Sequence, residues 1–136
     1  MDLVPFGKRP SRGATLLEMS LVIMMLLALT GSGIYFSGKI GEWRSGREAA
    51  ETLRMVYAAQ RMYLADNPTT PVSSLEPADL IPYLPAGRTE IPTVTSLEGN
   101  ELPINVAVSP PVVDAGEGEP YDPSGSPNDG LWDVGR

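Results

Sequence analysis

The sequence predicts an α+β protein: a long N-terminal helix, apolar in its first half, with a small antiparallel β-sheet head packed on its second half. Two observations carry this. Residues 14–67 contain no proline, whereas twelve of the 14 prolines lie at Pro68 or later. Proline breaks a helix interior, so the first stretch can be helical throughout and the remainder cannot. Beyond Pro68, Ile91 to Ser96 and Leu102 to Ser109 read as strands, joined by Leu97-Glu98-Gly99-Asn100-Glu101 as a hairpin loop.

The helix divides into segments with different tasks. Ala14 to Phe36 is apolar apart from Glu18 and a few Ser, Thr and Gly. As helix it spans about 34 Å, enough to cross a hydrocarbon core. The rest of the chain is too short to surround a helix apolar on every face, which argues against a buried core helix. Residues 37–66 are a glycine-rich stretch and an amphipathic helix. Gly31, Gly33, Gly38, Gly41 and Gly46 predict a bent, frayed or locally extended segment, because each costs a helix interior roughly 1 kcal/mol relative to Ala. Helix is expected to resume at Ser45-x-x-Glu48, which has capping-box spacing. Leu53, Val56, Tyr57, Tyr63 and Leu64 then line one face, with Arg47, Glu51, Arg54 and Arg61 on the others. Asn67-Pro68 ends it.

Residues 67–136 form an acidic, Pro-rich β head. Ser74-Leu75-Glu76-Pro77 reads as the start of a short helix over Ala78 to Leu84. Pro110-Pro111 ends the second strand, and Val112-Val113 can add an edge piece. The closing GEGEPYDPSGSPNDGLWDVGR is loop-like, with Tyr121, Leu131 and Trp132 as its expected anchors. Glu76 and Asp79 read as solvated acids at a helix start.

Charge and composition narrow the function. At 136 residues the chain is long enough for one domain. It has no Cys and no His, which excludes disulfides, thiolate zinc sites and imidazole bases. The net charge of −7 argues against a nucleic-acid partner. Lys8, Arg9 and Arg12 make a basic head, while Arg88 and Arg136 face eleven acids after Asn67. That order fits a chain oriented across a membrane with its basic end inside. No constellation makes a credible active site, so no enzyme activity is expected.

Lys8-Arg9-Pro10-Ser11-Arg12-Gly13-Ala14-Thr15-Leu16-Leu17-Glu18-Met19 resembles the N-terminus of type IV pilins and type II secretion pseudopilins. The shared features are a basic leader, Gly13, Thr15, Glu18 as fifth residue after the glycine, and an apolar helix beyond. The resemblance implies a leader of residues 1–13, cut between Gly13 and Ala14 by a prepilin peptidase, with N-methylation of the Ala14 amine. It implies residues 14–36 as a transmembrane and assembly helix, with Thr15 and Glu18 in assembly. It places the subunit in the inner membrane as a single pass, with its head in the periplasm or outside. The implied partners are other pilins or pseudopilins in a helical filament and an inner-membrane assembly platform. Ala14 stands where the family more often has Phe, Met or Leu. Glycines replace the proline that kinks this helix in many members, and Gly31 to Gly41 is expected to lose helix on filament packing. A carboxylate inside an apolar run costs on the order of 2.5–3.5 kcal/mol, and in this family Glu18 would meet the Ala14 amine of a neighbour.

Some pseudopilins hold calcium in a C-terminal loop, and Asp122, Asp129 and Asp133 offer oxygens there. Their spacing lacks the D-x-D-x-D-G pattern, so a solvated acidic loop fixed by Trp132 is the reading here, with no cofactor. The rival from another class is a secreted binding module with an ordinary signal peptide, cleaved near Leu29-Thr30-Gly31-Ser32. Glu18 at the front of its apolar region speaks against it.

Overall fold

A computed structural model describes Gly7, residues 12–85 and residues 87–136. The leader residues Lys8, Arg9, Pro10 and Ser11 lie outside the described residues. Helix α1 runs from Arg12 to Asp66, followed by a 3-10 turn at Val72–Ser74, helix α2 at Pro77–Leu80 and a second 3-10 turn at Ile81–Tyr83. Four two-residue strands follow: β1 Val94–Thr95, β2 Glu101–Leu102, β3 Ile104–Asn105 and β4 Val112–Val113. The chain divides into two units, Met1–Lys39 and Ile40–Arg136.

The glycine-rich stretch is neither frayed nor extended. Gly31, Gly33, Gly38, Gly41 and Gly46 are all helical, and no new helix starts at Ser45. The Ser45 hydroxyl instead donates to the Gly41 carbonyl at 3.1 Å, a bond within a running helix. The physical reason is cooperativity. Once a helix is nucleated each further residue adds a hydrogen bond, and breaking the ladder orphans several backbone groups, which costs more than roughly 1 kcal/mol per glycine.

In the second unit, α1 packs its inner face on the head. Ala49, Leu53, Val56 and Ala59 meet Leu75, Leu80, Leu84, Val94, Ile104, Val106, Val113 and Trp132 in one core. Burying each large aliphatic side chain contributes about 1.5–3 kcal/mol. Tyr63 and Leu64 are half-buried against that cluster, while Tyr57 is only half-buried at the face's edge. Tyr63 meets Tyr83 edge-on at 5.8 Å. The short helix expected over Ala78–Leu84 appears as one turn of α-helix continued by the 3-10 turn. Its Asp79 is spent on capping: the Glu76 N–H donates to Asp79 Oδ2 at 3.0 Å.

The expected hairpin exists, but its second strand is divided. β1 and β2 pair antiparallel, Val94 opposite Leu102 and Thr95 opposite Glu101. Pro103 then interrupts the ladder because it has no N–H to give. Past it, β3 pairs with β4 in a separate sheet, Ile104 opposite Val113 and Asn105 opposite Val112. The edge piece Val112–Val113 is thus a paired strand. The strand expected to reach Ser109 stops at Asn105, because the carbonyls of Val106 and Val108 both turn to Gln60. Gln60 Nε2 accordingly donates to each at 2.8 Å.

Candidate assembly surface

From Leu16 to Phe36 the large apolar side chains are 45 to 73% exposed, so none of the described residues buries them. Among the described residues, this is one helix long and apolar enough to cross a membrane. Two of its hydroxyls are satisfied inwardly. The Ser20 hydroxyl donates to the Leu16 carbonyl at 2.8 Å, and Thr30 donates to Leu26 at 2.7 Å. Such back-bonding lets a hydroxyl sit in an apolar medium without an orphaned donor.

Gly13 lies in the first turn of α1, and Ala14, Thr15 and Glu18 follow it, all three exposed. Ala14 and Glu18 are one helical turn apart and share a face. Among the described residues the Glu18 carboxylate has no hydrogen-bond or ion-pair partner. The first turn contains no acidic residue.

The three tail aspartates do other work than forming a cluster. Asp122 Oδ1 accepts from the Ser124 N–H and hydroxyl at 3.1 and 2.6 Å. Asp129 Oδ1 accepts from the Leu131 N–H at 2.9 Å. Asp133 takes the N–H groups of Gly130 and Gly135 on Oδ1 and of Asp129 on Oδ2. Among the described residues no group of three acidic side chains converges for a metal. These carboxylates shape turns.

Trp132 anchors the tail, and sequence reasoning missed what receives it. Its ring is buried edge-on against Tyr121, with centroids 5.1 Å apart, and the Trp132 backbone N–H donates to the Gly46 carbonyl at 3.0 Å. Arg54 secures the end of the tail, its Nε donating to the Val134 carbonyl at 2.9 Å. Tyr121 in turn braces the hairpin. Its hydroxyl accepts from the Leu97 N–H and donates to Glu98 Oε2, both at 3.0 Å. Glu98's own N–H, the Ser96 hydroxyl and the Tyr121 hydroxyl hold its carboxyl below the usual glutamate range. The Tyr83 hydroxyl donates to Asp66 Oδ2 at 2.8 Å, and that bond, ahead of burial, raises the phenol above its ordinary value.

The buried Gln60 was also missed. A lone amide among Ala59, Arg61 and Met62 carries no sequence signal, since its role depends on carbonyls more than forty residues away. No family model, curated protein or solved structure matches the chain.

Proposed function

We propose that this chain is the structural subunit of a type IV pilin-like filament, either a pilus or the pseudopilus of a type II secretion system. The observation that carries the reading is the bare apolar helix from Ala14 to Phe36, which holds one partnerless carboxylate at Glu18 and continues into a helix packed on an acidic head. A prepilin peptidase would hydrolyse the Gly13–Ala14 bond, and N-methylation would follow at Ala14. The subunit would wait in the inner membrane as a single pass, its basic end retained inside.

Assembly then moves the apolar helix from lipid into a bundle of like helices. Glu18 sets register by meeting the Ala14 amine of a neighbour, an ion pair that lowers the cost of a charge in an apolar interior. Thr15 lies between those two groups in sequence and belongs to the same contact. The glycines of Gly31 to Gly41 are where helix would be lost on packing; continuous helical density there in an assembled fibre would exclude that step. The role is structural, not catalytic, and needs no cofactor.

Mass spectrometry of the mature N-terminus tests the reading. The expected product begins at a methylated Ala14, removal of 13 from 136 residues leaving 123. A chain beginning near Ser32 would instead identify an ordinary signal peptide and a secreted module.

A further inference from the structure

Helix α1 carries Arg47, Arg54 and Arg61 at seven-residue intervals. They form one stripe, about 10.5 Å between members and drifting about 20° per step. All three are exposed. Each guanidinium is held in place, and among the described residues none is held by a carboxylate. Arg47 stands over the Trp43 ring at 5.7 Å, Arg61 over the Tyr57 ring at 5.8 Å, and Arg54 donates to Val134. Beside Arg61 lies a shallow apolar groove completed by Ala58, Met62 and Ala65, with Met62 48% exposed.

The same unit offers a complementary shape. The exposed loop Ala115–Pro120 reads Ala-Gly-Glu-Gly-Glu-Pro. Asp114 Oδ1 accepts from the N–H groups of Gly116 and Gly118 at 2.8 and 3.1 Å. The Ala115 N–H donates to the Glu119 carbonyl at 2.7 Å, and the Glu119 N–H donates to the Gly116 carbonyl at 3.1 Å. The loop is therefore ordered before it binds anything, which cuts the entropy lost on docking. Among the described residues neither the Glu117 nor the Glu119 carboxylate has a partner.

Resting on the filament reading, we infer that the loop Ala115–Pro120 of one copy docks on the Arg54–Arg61 face of the next. Glu117 and Glu119 meet the guanidiniums, while Ala115 and Pro120 cover the groove at Met62. Two different patches meet, so the contact is heterologous, and within the filament reading it propagates as an open helical array instead of closing a dimer. It also answers a problem of charge. Subunits beginning at Ala14 carry 7 basic and 16 acidic side chains and repel one another unless acidic surface meets basic surface.

The test uses the full chain in bacterial membranes. Arg61→Glu, and the pair Glu117→Arg with Glu119→Arg, should each lower multimer yield roughly tenfold. The threefold exchange should restore it. The protein has no native cysteine, so Arg61→Cys with Glu117→Cys should give a disulfide ladder of dimers and higher species. Unchanged tryptophan emission verifies that each variant folds. Multimers that persist in both reversals, or a cysteine pair that stays monomeric while sheared filaments are still recovered, would overturn the docking and leave the filament reading standing. If the unaltered chain yields neither sheared filaments nor sedimenting multimers, both fall together.

Discussion

A Cβ built on Gly46 would lie 2.8 Å from Nε1 of Trp132, closer than real Cβ contacts come, and 3.2 Å from both Trp132 Cδ1 and Leu131 Cβ. Among the five glycines from Gly31 to Gly46, it is Gly46 whose missing side chain is filled by another part of the protein. A Cβ at Gly31, Gly33, Gly38 or Gly41 would meet nothing within 4 Å. These five therefore separate into one that packs and four that stay open.

Gly46→Ala and Gly41→Ala should accordingly act in opposite directions. The first gains about 1 kcal/mol of helix preference and loses roughly 1–3 kcal/mol to overpacking against Trp132, a net destabilisation. The second should stabilise by about 0.5–1 kcal/mol, since its site is open. Urea denaturation of the detergent-solubilised chain, followed by tryptophan emission, reads both.

Gln60→Glu should be among the most damaging single changes in the head. It replaces a buried donor to Val106 and Val108 with a carboxylate facing two carbonyls, and Gln60 is fully buried. A loss of roughly 3 kcal/mol or more is expected at neutral pH, easing as the pH falls and the carboxyl protonates. Gln60→Leu, which orphans the carbonyls without adding charge, should cost about 1–3 kcal/mol. Parallel melting curves at two pH values distinguish the two.

Glu18→Gln should leave membrane insertion intact and reduce filament yield. Removing the charge favours residence in lipid and abolishes the ion pair that assembly would form. Fractionation of membranes and sheared filaments measures both. Equal filament yield from the variant would show that Glu18 does not set register.

Acid should loosen the hairpin through Glu98. Its carboxyl is held below the usual glutamate range, so the folded state binds that proton less readily than the unfolded chain. The stabilisation is present above the unfolded value and is lost as the pH falls through the folded one. Glu98→Gln should flatten that part of the acid limb, and the protection of the Leu97 amide relative to its intrinsic exchange rate should stay constant over the same window.

Much of the fold is legible in the sequence because it follows from local chemistry. Absence of proline from residues 14–67 marks one helix, and an apolar surface too large for the remaining chain to cover marks its first half as exposed. Asn67-Pro68 ends the helix and Glu76-Pro77 starts the next, each through backbone donors that proline lacks. Gly13, Ala14, Thr15 and Glu18 stand out for the same reason, since a carboxylate in an apolar run is conspicuous without any structure. Local chemistry misled where cooperative terms outweigh it: five glycines together did not break the helix, because the hydrogen-bond ladder on either side kept it intact.

Tertiary structure alone decided the rest. Pro103 hands one extended stretch from β1's sheet to β4's, Gln60 captures the carbonyls that would have continued it, and Trp132 closes over Gly46. The last two join residues roughly 45 to 90 positions apart, and no periodicity or propensity encodes which distant group a side chain will meet. The exposed helix, its glycine-bearing N-terminus and its single carboxylate were written in the residues themselves. Which glycine packs, which amide is buried and which arginines face outward depended on the folded core.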